Sequence, residues 1–206
     1  MQIKGQSLRK CVEDYHKKAL GNLYIDTSFH LIISDPTPQV LGQELPALSK
    51  DGYTSFKVFM TYDDLVLNDK ELIEVFDVAK QLKTLVMVHA EGYDSIKYLS
   101  DKFEKEGKTA PYYHAPTRPQ IVEREATHRA ISHAQIVDIP LMIVHVSGEE
   151  ALNQIRWAKD KGIKVFSETC PQYICLTEGD LKGLNMDFEG AKYVCSPPPR
   201  DKKSQE

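Results

Sequence analysis

Two histidines at the ends of short apolar runs could bind a metal. His89 follows the run LVMV and His145 follows the run LMIV, so each imidazole lies where a predicted strand ends. Neutral imidazole is a common ligand for zinc and other transition metals. Functional groups of a (β/α) barrel collect at the carboxyl ends of its strands, so equivalent positions favour a shared site. A histidine after an apolar strand is also commonly a hydrogen-bonded core residue, and the spacing leaves that open.

Lys57 is a charged side chain inside the apolar run SFKVFM. Burying an ammonium group without a partner is costly. Burial also lowers the pKa of a lysine, which makes the neutral amine available for covalent chemistry. The residues alone leave two interpretations open: a reactive lysine, such as a Schiff-base lysine on a barrel scaffold, and a lysine whose ammonium reaches solvent at the strand end.

The other polar residues favour surface or structural roles. That expectation covers the remaining histidines, which are His16, His30, His114, His128 and His133. Glu91 and Asp94 follow His89 closely, and they either orient its imidazole or lie in a solvated loop. The charges of one predicted helix fit a solvated face with local ion pairs; they are Glu123, Arg124, Glu125 and Arg129.

Short strand-like runs alternate with longer helix-like stretches. Helical spacing predicts helices over 7–20, 36–48, 69–82, 93–107, 119–136 and 148–160. Apolar runs predict strands over 23–33, 55–59, 85–88, 141–146 and 163–167. Asn68 or Asp69 is expected to cap the helix that starts at 69. The alternation is typical of βα units on a parallel sheet, and no GxGxxG or GxxxxGK[ST] loop supports a nucleotide-binding alternative. About five units predict a partial (β/α)8 TIM barrel, since a closed barrel takes roughly 250 residues.

Composition restricts the classes of function. The 206 residues are 41% hydrophobic and 27% charged with a net charge of −4, which is ordinary for a globular protein. No basic block indicates nucleic acid, and no apolar run is long enough to cross a membrane. The four cysteines show no CxxC spacing and the N-terminus has no signal-peptide core, so we expect free thiols and a cytoplasmic location.

Six segments together resemble one enzyme family. They are TSFKVFMTYDD (54–64), LVMVHAEGYD (85–94), KTAPYYHAPTRPQIVEREATHRAI (108–131), LMIVHVSGEEAL (141–152), ETCPQY (168–173) and FEGAKYVCSPPPR (188–200). In this order they are similar to the dihydropyrimidinases and bacterial hydantoinases of the amidohydrolase superfamily. The resemblance runs over essentially the whole chain.

The resemblance implies a hydrolase that opens a cyclic amide of a dihydropyrimidine or hydantoin to an N-carbamoyl amino acid. It implies two divalent metal ions, zinc, in a distorted barrel, joined by Lys57 after carboxylation by CO2. His89 and His145 match the histidines that bind the second metal. Tyr62, five residues after Lys57, matches the tyrosine that stabilises the oxyanion. Ser196 in CSPPPR matches a residue whose backbone holds the cyclic substrate.

The chain also departs from the family pattern. The family needs a His-x-His pair near the end of its first strand and a metal-binding aspartate on a strand beyond CSPP, and neither occurs here. Residues 1–206 are therefore expected to be the central part of one catalytic barrel domain. We expect these 206 residues alone to be inactive.

Two alternatives remain at this point. Non-catalytic relatives keep the fold as tetrameric interaction proteins, but the joint presence of Lys57, Tyr62, His89 and His145 argues against that role. Allantoinases and dihydroorotases share the metal chemistry, and the FMTYDD and CSPPPR segments make them a poorer match. The resemblance implies a homotetramer for the full-length form.

Overall fold

The computed structural model describes residues 2–206 and contains five strands and seven α-helices in that range. The strands are β1 (Leu31–Ile32), β2 (Ser55–Phe59), β3 (Leu85–His89), β4 (Leu141–Ile143) and β5 (Val165–Ser167). The α-helices are α1 (Leu8–Ala19), α2 (Leu45–Lys50), α3 (Asp69–Leu82), α4 (Tyr93–Lys105), α5 (Gln120–Val137), α6 (Glu149–Asp160) and α7 (Pro171–Cys175). A π-helical turn spans Val40–Glu44, and 3-10 turns span Pro111–His114, Glu178–Lys182, Phe188–Tyr193 and Lys202–Gln205.

These elements form two compact units. The first contains the chain up to His89 together with Ser132–Met142, and the second contains Ala90–Ile131 and Ile143–Glu206. In the first unit β1, β2 and β3 are neighbours in that order and run parallel. The chain therefore returns to the same end of the sheet before each strand begins, as the βα pattern predicts.

The core of the first unit lies on one face of β2. Its residues alternate in burial, and Phe56 and Val58 are fully buried. Helix α3 contributes Val75 and Phe76, which are also fully buried. Burying one such side chain is worth about 1.5–3 kcal/mol relative to leaving it exposed. The other face of β2 carries Lys57.

Local capping explains where α3 begins. The side chain of Asn68 accepts a hydrogen bond from the Glu71 amide, and the Glu71 carboxylate accepts one from the Asn68 amide. Two amides of the first turn are thereby satisfied, so Asn68 is the cap and Asp69 is the first helical residue. The helix ends at Leu82, and the following residue Lys83 caps it in a left-handed conformation.

The second unit contains β5 and the last residue of β4. The Glu168 amide donates to the Ile143 carbonyl at 3.2 Å, and the Val146 amide donates to the Glu168 carbonyl at 2.8 Å. Apolar residues of α5 and α6 form the core of this unit; fully or almost fully buried are Ala126, Ala130, Ile131, Ala151, Ile155 and Ala158.

Two predicted elements of the first unit are wrong in their extent. The strand predicted over 23–33 is reduced to Leu31–Ile32, and Tyr24 and Ile25 lie exposed. Strand propensity reflects packing on a half-buried surface, and these side chains are not buried. The helix predicted over 36–48 becomes the π-helical turn followed by α2, where Pro46 stands in the first turn and lacks an amide donor.

Two further findings concern cysteines and membranes. All four cysteines are free thiols, as their spacing predicts. Within residues 2–206 no helix is both long and apolar enough to cross a membrane.

Candidate metal ligands and a buried polar network

Lys57 and His89 share one face of two neighbouring strands in the first unit. The register places Lys57 beside Met87 and Phe59 beside His89, so all four side chains point to the same side. Lys57 Nζ lies 4.4 Å from the centroid of the Phe59 ring. That ring stacks on the His89 imidazole with centroids 5.4 Å apart. His89 is only 2% exposed, so its imidazole is nearly desolvated.

Tyr62 belongs to the same cluster. Its ring centroid lies 5.2 Å from that of His89 and 6.0 Å from that of Phe59. Its φ of 74° is unusual for a residue with a side chain and indicates a conformation imposed by its surroundings. The Tyr62 carbonyl accepts from the amides of Leu65 and Val66 at 3.0 and 2.8 Å, which closes the turn after β2. Three predicted site residues of the first unit are therefore brought together around Phe59.

His145 lies in the second unit, two residues after β4 ends. Its φ is 42°, which is again a left-handed conformation for a residue with a side chain. The flanking residues Val144 and Val146 are buried, while His145 is partly exposed. The predicted strand over 141–146 ends at Ile143, so His145 stands in the connection that follows the strand. That it shares one pocket with Lys57 and His89 stays a prediction.

The donor chemistry fits part of a metal site. Imidazole nitrogens of His89 and His145 suit transition metals. Lys57 as an ammonium has no lone pair to give and repels cations, so it could bind a metal only after losing a proton or after covalent modification. Among residues 2–206 no group of three or more His, Cys, Asp or Glu side chains is arranged to hold a metal ion. That His89 and His145 bind a metal stays a prediction.

Glu91 is buried rather than in a solvated loop. Its side chain is fully buried, and its Oε1 atom lies 4.0 Å from Arg118 Nε. Burial raises the pKa of Glu91, and the positive charges of Arg118 and Arg200 oppose that rise. Asp94 by contrast is exposed, but it lies in the first turn of helix α4 and not in a loop.

Glu123 overturns the expectation of a solvated helix face. Its carboxylate accepts from Arg200 Nη2 at 2.9 Å and from the Ser147 amide and hydroxyl at 2.9 and 2.6 Å. Arg200 Nε donates to Ser147 Oγ at 2.9 Å, and Arg200 Nη1 donates to the Arg118 carbonyl. Burial raises the pKa of Glu123, while the Arg200 and Ser147 donors favour the anion. The local pairing that sequence spacing predicts holds for Glu125 and Arg129, which are 2.8 Å apart.

His114 joins this network to the segment that carries Ser196. His114 Nε2 lies 2.9 Å from the Cys195 carbonyl oxygen and 3.1 Å from Ser196 Oγ. Arg118 Nη1 lies 3.2 Å from His114 Nδ1. The Tyr173 hydroxyl donates at 2.8 Å to the carbonyl of Pro197, the residue directly after Ser196. Ser196 is thus placed in a segment that is fixed from several sides.

Sequence reasoning missed His114, Arg118 and Arg200. All three lie inside segments that carried the family resemblance, KTAPYYHAPTRPQIVEREATHRAI and FEGAKYVCSPPPR. Their partners are far away along the chain: 82 positions separate His114 from Ser196, and 77 separate Glu123 from Arg200. Helical or strand periodicity reports only near neighbours and could not find such pairs.

Comparison with known proteins gives consistent matches. The chain is 48% identical over 206 residues to a D-hydantoinase of Rhizobium radiobacter and covers 44% of that protein. It is 37% identical over 204 residues to a D-phenylhydantoinase of Escherichia coli and covers 43% of it. No family model matches the chain.

A solved structure gives the same result. The crystal structure of a dihydropyrimidinase from Brevibacillus agri superposes with a TM-score of 0.95 at 44% identity, covering 99% of this chain and 44% of that one. The fold class predicted from the alternating elements, a partial (β/α)8 barrel, is confirmed by matches of this kind. The chain spans less than half the length of the relatives that it matches.

Proposed function

On the premise that this chain is, along its whole length, a homologue of the D-hydantoinases and dihydropyrimidinases, we propose that it forms part of a metal-dependent hydrolase of cyclic amides. The observation that carries the proposal is 48% identity across all 206 residues to a D-hydantoinase. The substrate class is a dihydropyrimidine or hydantoin, and the product is the N-carbamoyl amino acid. The proposal concerns the whole enzyme, of which these residues correspond to 44% of a relative's length.

Lys57 would join two divalent ions after carboxylation. Its neutral amine attacks the carbon of CO2, an N–C bond forms and one proton leaves, which gives a carbamate anion with two oxygen donors. Its position on the same face of the two neighbouring strands as His89 supports this role, since the ligands of one centre must lie close together. His89 and His145 would supply neutral imidazoles to the second ion.

Divalent ions bound there would provide a nucleophile at neutral pH and polarise the carbonyl of the ring amide. Tyr62 would donate its phenolic hydrogen to the negative charge that develops on that carbonyl oxygen. Its contacts with the His89 and Phe59 rings restrict its orientation, which supports a positioned donor. The backbone at Ser196 would bind the polar edge of the ring. We propose zinc as the metal, a homotetramer as the assembled form and the cytoplasm as its location.

A chimeric enzyme tests the proposal. The 206 residues replace the aligned segment of the Rhizobium radiobacter D-hydantoinase, which supplies the rest of the barrel. We expect the chimera to bind about two zinc ions per subunit and to hydrolyse hydantoin or dihydrouracil. Lys57→Met and His89→Asn should each abolish hydrolysis and lower the zinc content.

Matched controls separate site effects from general damage. Lys70→Met removes an exposed lysine of α3, and His128→Asn removes an exposed histidine of α5. Both should leave zinc content and hydrolysis unchanged. A folded, zinc-loaded chimera that leaves both ring substrates intact would contradict the proposal. A folded chimera without zinc would favour the non-catalytic interaction protein.

A further inference from the structure

His114 lies between a group that can only donate and a group that can only accept. A guanidinium has no acceptor, so Arg118 Nη1, 3.2 Å from His114 Nδ1, must donate to it. A carbonyl has no hydrogen to give, so the Cys195 oxygen, 2.9 Å from His114 Nε2, must accept from it. Both contacts therefore require the same form of the ring, which is the neutral imidazole with its hydrogen on Nε2.

The electrostatic surroundings favour the same form. Burial and the positive charge of Arg118 lower the pKa of His114 to about 4, and the Cys195 carbonyl and Glu91 oppose this only in part. At neutral pH the ring is therefore uncharged. An imidazolium would place a hydrogen on Nδ1, against the hydrogens of Arg118.

This tautomer also determines whether the Ser196 hydroxyl donates or accepts in its contact with His114. Ser196 Oγ is 3.1 Å from His114 Nε2, close enough to share the hydrogen that Nε2 gives to the Cys195 carbonyl. Because His114 Nε2 is a donor, Ser196 Oγ must accept in this contact. The hydroxyl hydrogen of Ser196 is then available to donate to another group.

The rest of the segment is fixed by other contacts. Tyr173 holds the Pro197 carbonyl, and Arg200 holds the carboxylate of Glu123. Arg118 takes part at both ends, because its side chain contacts His114 and its carbonyl accepts from Arg200. His114 is the contact that restrains the Cys195–Ser196 peptide itself.

We propose that His114 is a positioning residue that holds the Cys195–Ser196 peptide and directs the Ser196 hydroxyl to donate. The link to substrate rests on the proposed function, in which Ser196 binds the cyclic amide. Preorganising such a peptide reduces the ordering that substrate binding would otherwise require.

Nitrogen NMR of the 206-residue chain tests the tautomer. At pH 7 the 15N shifts of His114 should be those of a neutral ring protonated at Nε2. Shifts of an Nδ1-protonated ring or of an imidazolium would overturn the proposal. This measurement needs no substitution, so it tests the tautomer of His114 even if a variant fails to fold.

Two variants test the positioning. In His114→Gln the side-chain amide offers an NH2 group that can donate and an oxygen that can accept, whereas His114→Leu offers neither. We expect the backbone order parameter of Ser196 to stay at about 0.85 in the unsubstituted chain and in His114→Gln, and to fall below about 0.6 in His114→Leu. His128→Leu, at an exposed position of α5, should leave the order parameter of Ser196 unchanged. Unchanged order at Ser196 in folded His114→Leu would refute the role.

The proposed function and the positioning role of His114 can be refuted independently of each other. Neither NMR measurement uses metal or substrate, so an inactive chimera would count against the proposed function alone. If both proposals hold, His114→Leu in the chimera should raise KM for hydantoin about tenfold, which corresponds to about 1.4 kcal/mol. Zinc content should stay unchanged in that variant, and His114→Gln should restore most of the affinity. An unchanged KM in an active His114→Leu chimera would contradict the link between His114 and substrate binding.

Discussion

Arg200 and Glu123 form an ion pair in the second unit across 77 positions of sequence, with 2.9 Å between Nη2 and Oε2. Their side chains are only 5% and 3% exposed. Removing two ions from water is costly, and a buried pair is stable only when further hydrogen bonds satisfy both groups. Ser147 and the Arg118 carbonyl provide those bonds. The carboxylate and the guanidinium of this pair therefore hold Arg118 and Ser147 in place.

Removing one partner of this pair should destabilise the chain strongly. Arg200→Met leaves the Glu123 carboxylate buried without its cation, and we expect the free energy of unfolding to fall by about 3–5 kcal/mol in urea titrations. The double variant Arg200→Met/Glu123→Leu should recover most of that loss. Lys203→Met removes an exposed pair with Glu149 and should cost less than about 1 kcal/mol. Equal losses of unfolding free energy in Arg200→Met and Lys203→Met would contradict this prediction.

Elements defined by local rules could be predicted from the sequence. Helix α3 has the predicted bounds Asp69–Leu82, because its cap and its apolar spacing lie within the helix itself. Strand β2 also has its predicted bounds, Ser55–Phe59. Strand β3 extends one residue beyond its prediction and includes His89, so that candidate ligand lies within the ladder.

Features defined by distant partners could not be predicted. Glu123 has the pattern of a surface helix residue until Arg200 is folded against it, and His114 resembles any loop histidine until Cys195 lies beside it. The strand predicted over 23–33 failed for the same reason, because pattern alone does not reveal whether a neighbouring strand is present. Lys57 could be singled out because a charge within an apolar run is a local anomaly.

His114 should make stability depend on pH below neutrality. Its pKa is about 4 in the folded chain and about 6.5 when unfolded, so the unfolded chain binds more protons between these values. Stability therefore rises with pH through this window, and it is lost as pH falls from about 6.5 towards 4. The shift corresponds to at most about 3 kcal/mol, since His114 is partly exposed.

Variant chains isolate this contribution. Unfolding free energies measured from pH 7 to pH 4 should fall less steeply in His114→Gln than in the unsubstituted chain. Acid groups that do not interact with His114 contribute equally to both and cancel in the difference. Identical slopes in the unsubstituted chain and His114→Gln would show that His114 titrates normally.

Glu44 should be required for the start of α1. Its Oε2 atom accepts from the amides of Leu8 and Arg9 at 2.6 and 3.1 Å, and Leu8 is buried. Glu44→Leu leaves these helix-terminal donors without an acceptor, which should lower the free energy of unfolding by about 1–3 kcal/mol. Glu44→Gln retains an acceptor oxygen and should lose less. Glu74→Leu, at a half-exposed position of α3, serves as the control, and a loss there as large as in Glu44→Leu would contradict the prediction.

If Lys57 is carboxylated as proposed, zinc binding should depend on carbon dioxide. The carbamate would form only from the neutral amine, and bound zinc would stabilise it by removing the anion from equilibrium with CO2. The zinc-loaded chimera prepared with 13C-bicarbonate should show one carbamate carbon signal, absent from Lys57→Met and present in Lys70→Met. Removing zinc with a chelator under CO2-free buffer should erase that signal, and zinc alone should restore little activity until bicarbonate returns. Full hydrolysis by a zinc-loaded chimera that carries no carbamate would exclude Lys57 as the bridging ligand while leaving His89 and His145 as candidates.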